Sequence, residues 1–365
     1  MEERKFDNKL DDIPFPNLHR VRKITIAGHY GGGNLGDEAM LDVITEVLNR
    51  KLRNVKIIIP SRRPDVVKRL HSTQNLFPVG MTRGVLSSLS SDILLLGGGT
   101  IFSRFSGPGI VSITLIAILR KAILRKKIYF YGIGYSSSTP KALALLAKLA
   151  FKSADAIYVR DNLSAKTITA ITGPKPIFPM PELAFYLKKS NILPTDVAKM
   201  MEKREGPLIG ISLMYLPGAN FKQIVNSVRE FIEYMFFHHN ASFYFLTFQP
   251  RVINYGGDWK SDEEIGSMVE QDLPDDVRRN CFVLPGYNSA DTLQIIGRLS
   301  LVISMRYHCL VFASSQNTPY MAMAFEDKHN SFIKDYGGEV IQLNELSAKI
   351  MISKSQKVIE SSIRK

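Results

Sequence analysis

The chain alternates short apolar runs, rich in β-branched residues, with longer amphipathic stretches. The first half predicts strands at Lys23–Ala27, Val55–Ile59, Asp92–Leu96, Ile128–Tyr131, Ala156–Val159 and Pro176–Phe178. Between them, apolar positions at helical spacing predict helices near residues 38–52, 64–71, 110–126, 140–152 and 162–171. Strands that alternate with helices in this way are typical of a parallel sheet covered by helices.

Closely spaced prolines then interrupt the pattern, at Pro174, Pro176, Pro179 and Pro181. Because proline fixes φ and has no N–H group to donate, this segment predicts an extended connection between two domains. A second alternation predicts strands at Leu208–Leu213, Ser242–Leu246, Cys281–Leu284, Leu301–Ile303 and Tyr320–Met323. It also predicts helices near residues 220–239, 289–298, 307–315, 328–335 and 344–363.

We therefore predict an α/β protein with two Rossmann-like domains that face a cleft, residues 1–180 and residues 181–342. Residues 343–365 are expected to form a C-terminal helix that packs back on the first domain. Ligands of open α/β sheets bind beyond the carboxyl ends of the strands. The loops that follow strands are therefore where chemistry is expected.

Composition narrows the class of protein. With 365 residues, 45% of them hydrophobic, the chain is long enough for two cores and too apolar to be disordered. The net charge of +13 favours an anionic partner, which is nucleic acid, a small anion or a membrane surface. Two cysteines without Cys/His spacing indicate neither a disulfide framework nor a zinc site. A polar N-terminus and the lack of a long apolar run predict a cytoplasmic protein.

A glycine-rich loop follows the first predicted strand, and its Gly31, Gly33 and Gly36 fit the GxGxxG pattern. Backbone N–H groups of such a loop, together with the N-terminus of the next helix, can hold an anion. The alternative is a merely tight turn. A dinucleotide site needs an acidic residue about 20 positions further on. Here the chain has Arg62 and Arg63, which disfavours NAD and leaves NADP open.

Two more glycine clusters, Gly97–Thr100 and Gly132–Gly134, end strands of the same half. Three such loops at one sheet edge predict a ligand that lies across that edge, whereas close packing of helix on strand is the alternative. Arg160 follows the next strand and either contacts the ligand or forms an ion pair with Asp161.

A basic stretch, Arg120–Lys127, ends an amphipathic pattern. Such stretches are usually solvated, and docking on anionic lipid or polymer is the second interpretation.

In the second half, the strand Leu301–Ile303 leads directly to Arg306 and His308. Arginine binds carboxylate or phosphate through two parallel hydrogen bonds, and histidine titrates near neutral pH. Because both side chains lie at one strand-to-helix turn, we predict that they act together in the cleft, although a histidine at a helix start is often only structural.

Four blocks of sequence, in this order, resemble the polysaccharide pyruvyl transferase family. They are GHYGGGNLGDE at 28–38, DILLLGGGT at 92–100, the stretch 132–161, and VISMRYHCLVFA at 302–313 with 319–328 after it. The first and last blocks are specific in combination. His308 matches the family's histidine, and Tyr307 stands where leucine is common. Where the resemblance leads us to expect a second arginine the chain has Met214, so Arg251 or Lys222 would replace it.

The resemblance implies a glycosyltransferase-B-like fold, phosphoenolpyruvate as donor, and a sugar diol of a glycan or lipid-linked oligosaccharide as acceptor. Arg306 and His308 would be catalytic, His29 and Tyr30 are candidate acceptor contacts, and neither cofactor nor metal is expected. Residues assigned to the donor are Gly31, Gly32, Gly33, Asn34, Asp37, Gly98, Gly99, Thr100, Gly134, Arg160 and Tyr307.

Other classes of function remain open on the sequence. A sugar-nucleotide-dependent glycosyltransferase of similar fold is the main alternative enzyme, and an NADP oxidoreductase is disfavoured because the second half has no recognisable hydride-transfer site. A non-catalytic binder of nucleic acid or anionic polymer would need a helix-turn-helix, an RNP or a zinc pattern. None is present, so nucleic acid is not expected as a partner. A peripheral membrane contact through the basic surface is expected.

Overall fold

The computed structural model describes residues 10–16, 18, 20–71, 75–102, 108–135, 139–202, 204–216, 220–250 and 259–363. The chain divides into two compact units, Met1–Leu187 and Lys188–Lys365. Within the described residues, no helix combines the length and the apolarity needed to cross a membrane.

In the first unit, parallel strands form one sheet in the order β3-β2-β1-β4-β5-β6-β7. Its strands are β1 Lys23–Ala27, β2 Lys56–Pro60, β3 Leu76–Val79, β4 Ile93–Gly99, β5 Lys127–Ile133, β6 Ala156–Val159 and β7 Ile177–Pro179. Its helices are α1 Leu35–Lys51, α2 Pro64–Leu70, α3 Met81–Ser90, α4 Pro108–Leu124, α5 Lys141–Ser153 and α6 Asn162–Thr172. Short 3-10 turns lie at Leu10–Asp12 and Leu183–Tyr186.

In the second unit, the parallel sheet has the order β10-β9-β8-β11-β12-β13. Its strands are β8 Leu208–Ser212, β9 Ser242–Phe245, β10 Cys281–Val283, β11 Leu301–Ser304, β12 Tyr320–Ala324 and β13 Glu339–Gln342. Its helices are α7 Thr195–Met201, α8 Phe221–His239, α9 Asp262–Glu270, α10 Asp275–Arg278, α11 Ser289–Ile296, α12 Tyr307–Ser315, α13 Asp327–Tyr336 and α14 Ala348–Ile363, with a 3-10 turn at Leu343–Glu345.

The predicted alternation of strands and helices is confirmed in both units. The central strands are easy to recognise because a strand that is buried on both faces is a continuous apolar run in the sequence. Elements that the sequence analysis missed have weaker signals. The edge strand β3 contains Pro78, which interrupts the pattern without preventing pairing at an edge. Helix α3 contains Gly84 and several serines, and β13 is short and follows Gly337 and Gly338.

The boundary between the units follows Leu187 rather than residue 180, which corrects the predicted domain limits. The proline-rich segment is not only a connection, since Ile177–Pro179 pairs with β6 as an edge strand. The 3-10 turn that follows then packs on α1, and its Leu183 is fully buried in the core of the first unit. Burial of this turn keeps residues 181–187 with the first unit.

The C-terminal helix α14 belongs to the second unit, whereas the sequence analysis expected it on the first domain. It packs against α8 and β13, and Met351 is fully buried in the core of the second unit. The half-buried Lys354 of α14 forms an ion pair with Glu339 of β13, with 2.6 Å between Nζ and Oε2. An apolar stripe facing its own sheet explains the amphipathic pattern.

The revised boundary predicts that Leu183→Ala destabilises the first unit by about 2–5 kcal/mol, since the change leaves a cavity in its core. Urea denaturation followed by circular dichroism should detect the loss. The single Trp259 lies in the second unit, so its fluorescence transition should move less. Ile192→Ala is the matched control, because that side chain is 80% exposed. A Leu183→Ala shift seen only by Trp259 fluorescence would place residue 183 in the second unit.

Candidate active site

In each sheet the strand order changes direction beside the first strand of the unit, between β1 and β4 and between β8 and β11. The chain leaves those neighbouring strands toward opposite sides, which opens the crevice where sheets of this type bind ligands. The loop after β1 and the carboxyl end of β4 carry predicted glycines, and the turn after β11 carries Arg306, with His308 in the first turn of α12. Sequence and topology therefore select the same positions.

The glycine loop, Gly28–Asn34, closes on a carboxylate of the chain itself. Glu38 of α1 is 2% exposed, and its Oε1 accepts hydrogen bonds from the N–H groups of Gly31 at 2.8 Å and Gly33 at 3.1 Å. Both glycines have positive φ, 78° and 76°, which directs their N–H groups inward. The two amides that the sequence analysis assigned to a substrate anion are thus bound to Glu38.

The end of this loop forms the N-cap of α1. Asn34 accepts hydrogen bonds at its Oδ1 from the N–H groups of Gly36 and Asp37. Gly32 and Asp37 are half-buried, and a Cβ placed on Gly99 would lie 3.3 Å from Asp37 Oδ1. The predicted donor-binding residues Gly32, Asn34, Asp37 and Gly99 therefore surround the start of α1, where a helix N-terminus favours anions.

Tyr30 fills the space between the glycine loop and the end of β4. It is 4% exposed, and its hydroxyl donates to the carbonyl oxygen of Gly97 at 2.6 Å. Burial raises the pKa of the Tyr30 phenol well above its ordinary value, and Asp37 adds to the effect. A Cβ on Gly98 would lie 2.7 Å from the Tyr30 hydroxyl oxygen. Tyr30 thus packs inside the unit, which corrects its prediction as an acceptor contact.

His29 lies beside Tyr30 and keeps part of its surface exposed. Burial lowers the pKa of His29, and a backbone hydrogen bond with Ile101 opposes that effect. Its role in acceptor binding stays a prediction.

A buried histidine completes the anchor of the glycine loop. His71, directly after α2, lies with its Nε2 2.9 Å from Glu38 Oε2 and its Nδ1 2.6 Å from Asp42 Oδ1. Burial alone would lower the pKa of His71, but the two carboxylates more than offset it and raise the pKa to about 9. The imidazolium therefore balances the charge that Glu38 carries into the core.

The side chain of Arg160 contacts residues that lie at the ends of β4 and β5, while Arg160 itself follows β6. Its Nη1 lies 2.9 Å from Glu182 Oε2, and its Nη2 donates to Thr100 Oγ1 at 3.1 Å. A Cβ on Gly134 would lie 2.8 Å from Arg160 Nε, so a side chain at that position would displace the guanidinium. Burial raises the pKa of Glu182, and the charge of Arg160 opposes the rise. The predicted residues Thr100, Gly134 and Arg160 thus form one cluster, in which Arg160 pairs mainly with Glu182.

Arg306 is held by a buried carboxylate from α9. Its Nε donates to Asp262 Oδ2 at 3.2 Å and its Nη2 binds Oδ1, while the side chain stays 16% exposed. Asp262 Oδ2 also accepts from the N–H groups of Phe248 and Gln249, both at 3.0 Å. Burial raises the pKa of Asp262, an effect that the charge of Arg306 opposes. Within the described residues, Nη1 of Arg306 has no hydrogen-bond partner.

The turn after β11 is fixed from both sides. Ser304 Oγ accepts from the N–H group of Arg306 at 2.9 Å, and the buried ring of His329 lies with Nε2 3.0 Å from the carbonyl oxygen of Met305. Tyr307 and His308 then begin α12 with half-buried rings, whose centroids are 5.3 Å apart in an edge-to-face arrangement. Arg306, Tyr307 and His308 are therefore adjacent at a helix N-terminus.

Other predicted cations have different surroundings. Lys222 is exposed in the first turn of α8, and Arg251 lies outside the described residues. Within the parts of the chain that the structure describes, no group of three His, Cys, Asp or Glu side chains is arranged to hold a metal ion.

The basic stretch Arg120–Lys127, which begins in the last turns of α4, is bound by the protein itself. Arg120 is fully buried and donates to backbone carbonyl oxygens around the end of α3. Lys126 Nζ donates to three carbonyl oxygens there. Lys121 and Lys127 both pair with Asp155, at 2.7 and 3.0 Å. These side chains hold α4 on the sheet. Most of the positive charges that were expected to form a docking surface are therefore bound within the unit.

The sequence analysis missed the side chains that position the site, which are Glu182, Asp262, His71 and His329. Each is separated along the chain from the group it holds, so no local spacing reveals the pairing. Asp262 has one local signal, because Ser261 and Glu264 form a capping box that marks the start of α9. That signal predicts where α9 begins, but it does not predict that Asp262 pairs with Arg306.

The raised pKa of His71 predicts a pH-dependent contribution to stability. Because the pKa is 6.5 in the unfolded chain and about 9 in the folded one, the contribution is complete below pH 6.5 and is lost as pH rises through about 9. Its upper bound is about 3 kcal/mol. His71→Gln should therefore be destabilised most near pH 6, measured by urea denaturation. His238→Gln, exposed on α8, is the control. Parallel stability curves for His71→Gln and wild type would contradict the assignment.

Solved structures of known proteins resemble the whole chain. The UDP-GlcNAc 2-epimerase from Methanocaldococcus jannaschii has a TM-score of 0.63 at 8% identity, over 92% of each chain. The ADP-heptose lipopolysaccharide heptosyltransferase II from E. coli has a TM-score of 0.52 at 13% identity, over 93% of this chain and 99% of its own. UGT2 from Phytolacca americana has a TM-score of 0.54 at 11% identity, over 93% of each chain. At such identities the likeness shows the fold, which is of the glycosyltransferase-B type as predicted.

No curated protein matches the chain in a sequence search. The family model described as polysaccharide pyruvyl transferase matches residues 34–326. The match begins at the N-cap of α1 and ends after β12, so it includes Glu38, Arg160, Asp262, Arg306 and His308. Since the match covers most of both units, the chain belongs to the polysaccharide pyruvyl transferase family.

Proposed function

We propose that this protein transfers the enolpyruvyl group of phosphoenolpyruvate to two hydroxyls of a glycan, which yields a cyclic pyruvate ketal and phosphate. The acceptor is a polysaccharide or a lipid-linked oligosaccharide. The observation that supports the proposal is that Arg306 and His308 follow β11 at the change of strand order in the second sheet, where sheets of this type generally bind ligands. Membership of the family supports pyruvyl transfer as the reaction that we assign to this pair.

Arg306 is the proposed anchor of the donor, which carries a phosphate and a carboxylate. Asp262 binds Nε and Nη2 and thereby fixes the plane of the guanidinium, and Nη1, which has no partner among the described residues, is the proposed contact with the donor. The first backbone N–H groups of α12 add partial positive charge beside it. A rigid cation loses less conformational entropy on binding than a free one, so the Asp262 pair favours donor binding although it lowers the local net charge.

We do not assign the N–H groups of Gly31 and Gly33 to the donor, unlike in the sequence analysis. Because Glu38 occupies the N–H groups of Gly31 and Gly33, we assign these glycines to shaping the loop. Gly32, Asp37 and Thr100, with Tyr307 in the second unit, remain the proposed contacts with donor or acceptor.

Ketal formation requires matched proton transfers. Protonation of the methylene carbon of phosphoenolpyruvate gives an oxocarbenium-like centre, and one acceptor hydroxyl attacks it and loses its proton. Phosphate then leaves with the C–O bonding pair, and the second hydroxyl closes the ring and loses its own proton. The two acceptor hydroxyls therefore release two protons. One of them replaces the proton that was given to the methylene carbon, and the other leaves with phosphate. His308 is the proposed carrier between oxygen and carbon, since imidazole exchanges protons near neutral pH.

Substitution of the anchor tests the donor. Arg306→Lys keeps the positive charge but loses the planar pair of hydrogen bonds, so the Kd for phosphoenolpyruvate should rise about tenfold or more. Isothermal titration or a melting-temperature shift measures the change. Arg298→Lys, exposed at the end of α11, is the control and should bind as wild type. Stabilisation of the wild type by a sugar nucleotide, with none by phosphoenolpyruvate, would instead indicate a glycosyltransferase.

Removal of the proposed proton carrier tests the chemistry. His308→Ala should slow phosphate release from phosphoenolpyruvate by about 10²–10⁴-fold while the donor still raises the melting temperature. The assay uses a panel of glycans and lipid-linked sugars as acceptors, and His238→Ala is the control. Phosphate release by His308→Ala at the wild-type rate would exclude His308 from the mechanism.

A further inference from the structure

One helical layer of the first unit is apolar on its outer side as well as its inner side. Helices α3, α4, α5 and α6 lie side by side, each in contact with the next. Their inner residues, such as Ala117, Ala147 and Phe151, are buried against the sheet. Six large apolar side chains on the outer side of α3, α4 and α5 are each 48–73% exposed. We call these six residues the leucine face: Leu86, Leu115, Leu119, Ile123, Leu145 and Leu149.

The spacing of the leucine face makes it continuous. Leu115, Leu119 and Ile123 are four residues apart and form one stripe along α4, and Leu145 and Leu149 form a second stripe on the adjacent α5. A solvated helix normally presents polar residues on its outer side. A patch formed by neighbouring helices indicates an interaction site, unlike single exposed leucines.

The charges of the same layer all have one sign. The chain has 34 Asp and Glu residues, and none of them lies in α3, α4, α5 or α6. The exposed charged side chains of these helices are basic: Arg83, Lys141, Lys148, Lys152 and Lys166. Arg120 and Lys121 of α4 are engaged within the unit, so these five residues carry the exposed positive charge of the four helices.

We propose that the leucine face docks the protein on an anionic lipid bilayer. Leucine side chains can enter the boundary between headgroups and acyl chains, while the surrounding lysines reach the lipid phosphates. A second copy of this chain would bring two sets of lysines together without any acid to pair with them. Nucleic acid would bind the lysines and leave the leucines in water. The proposal holds whichever reaction the protein catalyses.

Vesicle co-sedimentation of the full chain tests this surface. Wild type should sediment with vesicles of phosphatidylcholine containing about one-third phosphatidylserine, and much less with phosphatidylcholine alone or at high salt. The triple variant Leu115→Gln, Leu119→Gln, Ile123→Gln should bind at least about tenfold more weakly, and so should Lys148→Glu with Lys152→Glu. All these side chains are exposed, so circular dichroism melting curves should stay close to wild type.

Two matched controls alter exposed apolar side chains elsewhere. Phe237→Gln, on α8 at 64% exposure, and Ile192→Gln should leave vesicle binding unchanged. Failure of wild type to bind the anionic vesicles would overturn the proposal, as would wild-type binding by the triple variant. Analytical ultracentrifugation without lipid tests for self-association. If wild type is a dimer and the triple variant is a monomer, the leucine face is a contact between copies, and the proposal is overturned.

Discussion

Three carboxylates withdrawn from water organise the carboxyl ends of the two sheets, and they are Glu38, Glu182 and Asp262. A buried carboxylate is stable only if a cation and hydrogen-bond donors replace its lost hydration. Their cationic partners are His71, Arg160 and Arg306. Each pair also fixes the backbone around it. The first pair closes the glycine loop, the second connects the ends of β4, β5 and β6, and the third fixes the turn before α12. At the carboxyl end of each sheet, the buried charges are therefore compensated by residues of the same unit.

Much of the fold follows from local signals in the sequence, whereas the pairings within the site do not. Continuous apolar runs predict the central strands, and Arg306 and His308 stand out because they follow one of them. Pro78 hides an edge strand, since the residue that breaks most strands is tolerated at an edge. The glycine loop was expected to bind an anion, and it does, but the anion is Glu38 of the same chain. Glycine spacing encodes the shape of such a loop and not which carboxylate or phosphate fills it.

The fold and the family answer different questions about this protein. The similar solved structures include an epimerase of UDP-GlcNAc and a heptosyltransferase named for ADP-heptose. Two sheets with the Rossmann strand order can hold many donors, because the loops after the strands determine the chemistry. Here the turn after β11 carries Arg306, whose guanidinium is held by Asp262, two residues before His308 in the first turn of α12. Family membership limits the reaction, and these side chains limit how it can proceed.

The outer layer of the first unit has one further property. Helices α3 to α6 contain no carboxyl group, imidazole or thiol, so none of their side chains changes charge between about pH 5 and pH 8. The face is therefore electrostatically constant over this range, and His71, whose pKa is about 9, changes charge only above it. The proposed docking through such a surface would respond to the composition of the membrane and to ionic strength, and it would be insensitive to acidification.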